Sequence, residues 1–69
     1  MLIEEIKVGS VYRWIEAPVD TAQLDHEVDD IVDCSGVTVV SYQTSLNGQQ
    51  LSGYVLPLAD FARLMQPRK

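Results

Sequence analysis

Runs of β-branched and aromatic residues alternate with turn-forming residues along the chain, a pattern typical of a small β-rich protein. The segment SVYRWIEA (residues 10–17) predicts a first strand, and Pro18 ends it because proline donates no hydrogen bond to a β-ladder. The segment GVTVVSYQTS (residues 36–45) carries the densest β-branched content. Its apolar residues fall on both faces, which indicates a central strand or a strand at an interface.

Two further elements follow the turn sequence LNG at residues 46–48, where Asn and Gly tolerate the positive φ angles of tight hairpins. The segment QQLSGYVLPL (residues 49–58) predicts another strand, with a bulge or bend at Gly53. In PLADFARLMQP (residues 57–67) the apolar residues repeat at three and four positions instead. That period predicts a short C-terminal helix that ends before Pro67.

The segment LDHEVDDIVD (residues 24–33) fits either a helix or a strand. As a helix it would place several carboxylates at its C-terminal end, where the macrodipole disfavours each by about 0.3 to 1 kcal/mol. As a strand ending near Cys34 it would lead through the turn sequence CSG into the next strand, and this alternative is favoured. One strand face would then carry Val28, Asp30, Val32 and Cys34, and the other Glu27, Asp29, Ile31 and Asp33. Residues 18–25 form the preceding loop, with or without a helical turn.

Together these elements predict one domain over residues 1–69, a mainly β fold that forms a small barrel of four to five antiparallel strands with a short C-terminal helix. The segments VGSVYRW, EVDDIVDCSGVTVVSY and YVLPLADFARLM, in this order, resemble the SH3-like barrel domains of uncharacterised phage and bacterial proteins. The ending GYVLPLADFARL also resembles the C-terminal end of the type II plasmid dihydrofolate reductases, which implies the same barrel. That family binds its ligands in a tetramer pore through a Val-Gln-Ile-Tyr segment. Residues 53–56 here read Gly-Tyr-Val-Leu, so its activity is not carried over.

The small size of the chain predicts a thin margin of stability, because a domain of about 60 residues buries only about 60% of the surface that its unfolded chain exposes. A single cysteine, Cys34, excludes an internal disulfide, and the sequence lacks four zinc ligands of the usual kind. We therefore expect a homodimer or higher homo-oligomer, with Tyr42 and strand 37–42 at the subunit contact. With neither a signal peptide nor a run of about 18 apolar residues, we expect a cytoplasmic protein that does not bind membranes.

No motif of catalysis, phosphate binding or dinucleotide binding occurs, so we expect neither an enzyme nor a cofactor. Cys34 and His26 stand eight residues apart, too far along one strand to form a catalytic pair, and a cysteine beside a turn is most often buried. A calcium loop beginning at Asp25 would need Gly at Asp30 and Glu at Gly36. No metal site is therefore predicted, although a weak cation site between Glu27, Asp29 and Asp33 is the alternative.

Charge is distributed unevenly, since no Lys or Arg occurs between Arg13 and Arg63 and the net charge is −5. We expect the folded protein to have an acidic side and a smaller basic side at the termini, and not to bind nucleic acid directly. The main hypothesis is a non-enzymatic interaction module, for instance a phage or mobile-element regulator or inhibitor of a nucleic-acid-binding protein. Its acidic face, which would bind a basic protein surface, consists of Glu27, Asp29, Asp30 and Asp33. The alternative is that these carboxylates only maintain solubility and protect an edge strand.

A second hypothesis is a ligand site built from aromatic residues of three different strands. The candidate residues are Tyr12, Trp14, Tyr42 and Tyr54. They would form an aromatic cage for a small cationic or peptide ligand, with Asp30 or Asp33 as the acidic neighbour. A related alternative places a small ligand at the symmetry axis of an oligomer.

Overall fold

The computed structural model describes residues 1–17 and 24–68, so most of the predicted loop at 18–25 lies outside the described residues. The elements run in the order β1 (Val11–Trp14), β2 (Asp25–Cys34), β3 (Val37–Leu46), β4 (Gln49–Pro57), α1 (Leu58–Leu64) and β5 (Met65–Pro67), after a short 3₁₀ helix at Ile3–Glu5. The strands form one antiparallel sheet in the order β4-β3-β2-β1-β5. The predicted fold class, a small mainly β barrel-like domain with a short C-terminal helix, is confirmed. A relationship to the SH3-like family stays a prediction.

Residues 24–33 form a strand almost throughout, as the preferred interpretation predicted. Two tight turns fix the three long strands: Ser35 and Gly36 have φ of 54° and 84°, and Asn47 and Gly48 have φ of 51° and 84°. Positive φ at both central residues is the geometry whose twist matches that of paired strands, and Gly and Asn adopt it most readily. The turn signals CSG and LNG therefore set the β2–β3 and β3–β4 pairings.

A β-bulge at Asp29 changes which residues of β2 share a face. Val28 pairs with Tyr42 and Asp30 pairs with Ser41, so Asp29 is one extra residue in β2. Beyond the bulge the alternation shifts by one position, and Ile31 packs against the core on the same side as Val28. The predicted faces, with Val28 beside Asp30 and Ile31 beside Asp29, are therefore wrong beyond Val28.

The irregularity predicted at Gly53 lies two residues earlier, because Thr44 pairs with Ser52 while Ser45 pairs with Gln50. Gly53 has a different role in the sheet. It pairs with Gln43, and a Cβ atom there would lie 2.8 Å from the Gln43 Nε2 atom. Because Gly53 has no side chain, there is room for the Gln43 amide beside its Cα atom.

The C-terminal helix is shorter than predicted, because the chain becomes extended at Met65 (φ −112°, ψ 160°) and forms β5. Met65 also fits the helical spacing from Phe61, so the apolar pattern does not indicate that the helix ends and a strand begins there. Strand β5 pairs with β1, with Met65 opposite Trp14 and Pro67 opposite Tyr12. Proline is tolerated there because β5 is an edge strand.

Helix α1 packs against the sheet and supplies the centre of the core. The Phe61 side chain is fully buried, and its ring meets the rings of Tyr12 and Tyr42 edge-on at centroid distances of 5.2 and 5.5 Å. The buried apolar residues are Ile6, Tyr12, Val28, Val40, Tyr42, Phe61, Ala62 and Met65. Beyond Tyr42 along the inner face lies the region that forms the candidate site.

Candidate functional site

An open cavity of about 250 Å³ lies on the inner face of the sheet. It is lined by Trp14, Leu24, His26, Tyr42, Thr44 and Tyr54, which we call the aromatic cleft. The strand register explains this grouping, because His26 lies directly opposite Thr44 and Tyr42 directly opposite Tyr54. Residues opposite each other in an antiparallel ladder project to the same face.

Four rings form a continuous row through the aromatic cleft. The Trp14 and His26 rings meet edge-on at 5.6 Å, the His26 and Tyr42 rings edge-on at 5.4 Å, and the Tyr42 and Tyr54 rings are tilted at 5.9 Å. These separations lie in the range that favours aromatic pairs. Tyr42 is buried at the base, whereas Tyr54 is 53% exposed at the rim.

His26 is the most buried polar residue of the aromatic cleft, with only 3% of its surface exposed. Its Nδ1 atom lies 2.9 Å from the Thr44 Oγ1 atom. Its Nε2 atom is buried and has no hydrogen-bond partner among residues 1–17 and 24–68. Burial lowers the pKa of His26, against the opposing effect of the nearby Asp25 charge, so the imidazole is neutral at neutral pH.

Asp25 borders the aromatic cleft without lining it, and its charge is already compensated. The Arg13 Nε atom lies 2.9 Å from one carboxylate oxygen and an Arg68 guanidinium nitrogen lies 2.8 Å from the other. Burial alone would raise the pKa of Asp25, but the Arg13 hydrogen bond and the Arg68 charge outweigh it and lower the pKa. This carboxylate therefore joins β1 and the C-terminal segment to the start of β2.

The structure brings together three of the four predicted aromatic residues, Trp14, Tyr42 and Tyr54. Tyr12 was wrongly assigned to this site, because it is buried against Phe61 in the core. Its hydroxyl donates to the Glu5 carbonyl oxygen at 2.7 Å and accepts from the Lys7 N–H at 2.9 Å.

The predicted acidic neighbours of a cage, Asp30 and Asp33, do not line the aromatic cleft; both are exposed elsewhere on β2. Sequence reasoning missed His26 and Thr44 as site residues. A signal for both existed in the alternation of β2 and β3, where His26 precedes the buried Val28 and Thr44 follows the buried Tyr42 by two positions.

The predicted acidic face is divided by the bulge. Glu27 and Asp30 lie on the outer face opposite Gln43 and Ser41, and Asp29 accepts a hydrogen bond from the Gln43 amide on that side. Hydrogen bonds from Gln43 and Ser41 lower the pKa of Asp29. Asp33 follows the alternation of Ile31 and is therefore separated from the other three.

A shared cation site at Glu27, Asp29 and Asp33 is not formed. In the part of the chain that the structure describes, no three His, Cys, Asp or Glu side chains converge as metal ligands. Gln43 instead links Asp29 to Gln50, from which its Oε1 atom accepts a hydrogen bond at 2.7 Å.

The solvent exposure of the side chains corrects two further expectations. Cys34, expected to be buried, carries an exposed free thiol. Val40 and Tyr42, expected at a subunit contact, are buried inside the chain itself, because β3 is the second strand of the sheet and faces α1. Val37, at the start of β3, is exposed, and further exposed apolar residues lie on the neighbouring edge strand β4, at Leu51, Tyr54 and Val55.

Comparison of the chain with protein-family models, curated proteins and solved structures finds no match. Within the described residues, no helix has the length and apolar character needed to cross a membrane. The chemistry of the aromatic cleft is therefore the basis for assigning a function.

Proposed function

We propose that this protein is a non-enzymatic binding module that holds one ring-bearing group, presented by a small molecule or by a peptide side chain, in the aromatic cleft. The observation that carries the proposal is an open cavity lined by the rings of Trp14, Tyr42 and Tyr54 and by His26, whose Nε2 atom is buried without a partner among the described residues. A buried polar atom without a partner costs about 1 to 3 kcal/mol unless something binds it. Pockets for small molecules combine aromatic side chains with a few polar groups in this way.

The size of the aromatic cleft supports a ligand group of about one ring. Its volume of about 250 Å³ lies just below the usual range of about 300 to 1,000 Å³ for small-molecule pockets. An apolar cavity of about 150 Å³ is already large enough for benzene. A substituted single ring therefore fits, whereas a nucleotide or a folded peptide segment would extend far beyond it.

The charges around the aromatic cleft favour a neutral ligand over the cationic ligand of an aromatic cage. No carboxylate of the described residues lines the cavity, and the nearby Asp25 is engaged by two arginines. A bound cation would lose its hydration shell, and only its contacts with the faces of the aromatic rings would compensate for that loss.

The His26–Thr44 pair superficially resembles a base and a nucleophile, but catalysis is not part of the proposal. Among the described residues, His26 Nε2 has no third group to orient it, as a catalytic histidine usually has.

Substitution of Tyr54 by alanine should weaken the binding of a single-ring ligand about tenfold, because an aromatic contact of this kind contributes about 1.4 kcal/mol. Tyr54 is exposed and loses only its ring contact with Tyr42, so the variant should remain folded. Titrations followed by Trp14 fluorescence, with acetophenone as the ligand, measure the effect. Val55→Ala, at the exposed neighbouring residue on the other face of β4, is the matched control. Equal affinities for the parent and Tyr54→Ala would contradict the assignment of the cleft.

A second candidate function, binding of a basic protein surface by Glu27, Asp29 and Asp30, is favoured by one observation. These carboxylates are exposed on the outer face of β2. Among the described residues, the only carboxylates that form ion pairs are those of Asp25 and Asp60. A phage or mobile-element inhibitor of a nucleic-acid-binding protein is the special case we propose for this surface. We propose a cytoplasmic location, a reducing compartment in which the exposed thiol of Cys34 would remain free.

Neutralising this outer face with Glu27→Gln and Asp30→Asn should weaken binding of a lysine-rich peptide about threefold to tenfold at low salt. The effect should disappear at high salt, since exposed charges are screened. Isothermal titration at both salt concentrations measures it. The control is Glu4→Gln with Glu16→Gln, which removes two exposed carboxylates elsewhere. Equal losses in both double variants would attribute binding to net charge alone and reject this surface.

A further inference from the structure

Strand β4 forms one of the two edges of the sheet, and its outer side is open to solvent. Within residues 1–17 and 24–68, β4 pairs only with β3. Eight of its nine residues are exposed, and the ninth, Leu56, is half-buried, so no other element covers this edge. The backbone N–H and C=O groups of β4 that point away from β3 are therefore free to pair with a further strand.

The opposite edge of the sheet carries features that normally prevent strands of different molecules from pairing. Strand β5 has only three residues, one of them is Pro67, and Arg68 follows directly. Short length, proline and positive charge are common forms of this protection. Strand β4 has nine residues and no charged one. Its bulge at Leu51 and its terminal Pro57 still leave Ser52–Leu56 in regular register.

The charges of the chain favour an uncharged partner at the β4 edge. Asp33 and Asp60 are consecutive charged residues, so the whole β3–β4 hairpin between them is uncharged, although the chain has a net charge of −5. Two copies would repel each other at the acidic outer face of β2, whereas their β4 edges bring no like charges together. A basic protein would instead be attracted to the carboxylates. A second copy of β4 is an uncharged strand of this kind.

Exposed apolar side chains accompany the β4 edge on both faces of the sheet. Tyr54 lies on the inner face beside Tyr42, and Val55 lies on the outer face opposite Ser41. They are 53% and 59% exposed. A second β4 strand that pairs antiparallel about a two-fold axis keeps the same inner and outer faces. Side chains of adjacent strands on one face contact each other, so each copy would cover these residues of the other.

We infer that the protein forms a symmetric homodimer in which the β4 strands of two copies pair antiparallel over Ser52–Leu56 and join the two sheets into one. A chain of 69 residues belongs to the size range in which oligomerisation commonly adds stability to a small core. The subunit contact thus lies on β4, next to the strand 37–42 where the sequence predicted it. The inference is independent of any ligand in the aromatic cleft.

The assembly is tested first on the parent protein, by sedimentation velocity at several protein concentrations and two salt concentrations. The protein should change reversibly from monomer to dimer as its concentration rises. High salt should preserve or strengthen the dimer, because screening weakens the repulsion between two net charges of −5 and this edge contains no ion pair to lose. A monomer at every concentration up to that used for NMR spectroscopy, or a dimer that dissociates at high salt, would overturn the inference.

Val55→Lys tests which surface forms the dimer. The side chain is exposed in the single chain, so the variant should fold, and a lysine on the pairing edge should raise the dissociation constant of the dimer about tenfold or more. Val37→Lys is the matched control with the same change in net charge, because Val37 is similarly exposed on the same hairpin but lies at the start of β3. Circular dichroism verifies that both variants are folded. Equal dissociation constants for the two variants would overturn the inference.

Hydrogen exchange distinguishes strand pairing from a contact between side chains alone. In Ser52–Leu56, the amides that do not bond to β3 should be protected at high protein concentration and should exchange quickly at low concentration. The same amides should exchange quickly in Val55→Lys at both concentrations. Fast exchange of these amides in a fully dimeric sample of the parent would overturn the inference.

Discussion

Replacing Phe61 by alanine is expected to lower the free energy of unfolding by about 3 to 5 kcal/mol. The Phe61 ring is completely buried and contacts the rings of Tyr12 and Tyr42, so its loss leaves a cavity at the junction of α1 with the sheet. Domains are stable by only about 0.05 to 0.15 kcal/mol per residue, so a chain of 69 residues would lose a large part of its stability.

Urea denaturation followed by tryptophan fluorescence measures this effect. Leu51→Ala, at an exposed apolar position on β4, is the control and should change stability by less than about 0.5 kcal/mol. Phe61→Leu should give an intermediate loss that can be measured even if the alanine variant is unfolded. A loss below about 1 kcal/mol for Phe61→Ala would contradict the central position of this ring.

Replacing Tyr12 by phenylalanine is expected to lower the free energy of unfolding by about 1 to 3 kcal/mol, without any change in ligand affinity. The Tyr12 hydroxyl bridges the Glu5 carbonyl oxygen and the Lys7 N–H, and its removal leaves both backbone groups without this partner. The aromatic cleft does not contain Tyr12, so its geometry should persist.

The same urea titration and an acetophenone titration of Tyr12→Phe test both parts of this prediction. Trp14→Phe is the comparison within the cleft and should change the affinity more than the stability. Because it removes the single tryptophan, its unfolding is followed by circular dichroism and its binding by isothermal titration. A weaker affinity in Tyr12→Phe at full stability would return Tyr12 to the ligand site, where the sequence had suggested it.

Local signals explain why most of the fold could be predicted from the sequence. The β-branched run in β3 and the two positive-φ turns determine the long strands, and each depends on residues within a few positions of one another. Strand β5 depends instead on pairing with β1, about 50 residues away, and its Met65 also fits the preceding helix. No local pattern distinguishes these two possibilities.

The bulge at Asp29 limited what could be predicted about the site. Neither Gly nor Pro marks its position, so the strict alternation of a regular strand gave the wrong faces beyond Val28. The same cluster of carboxylates drew attention to Glu27 and its neighbours as a surface. His26, in the middle of that cluster, points to the opposite side and became the key polar residue of the aromatic cleft.

The uneven distribution of charge along the chain was predicted, but the pairing of opposite charges in the folded protein was not. The basic residues do lie near the two ends of the chain, and the outer face of β2 is acidic. However, Arg13 and Arg68 both bind Asp25, so part of the basic side is paired with part of the acidic segment. Only tertiary structure brings residues 13, 25 and 68 together, and their spacing in the sequence gives no indication of it.

The most direct test of the aromatic cleft is to detect intermolecular nuclear Overhauser effects between acetophenone and the isotope-labelled protein. Ring protons of the ligand should show contacts with Trp14, Tyr42 and Tyr54, and the ring signals of His26 should shift on binding. Contacts confined to other surfaces, or an unchanged His26 signal at saturation, would contradict the assignment of this cleft as the ligand site.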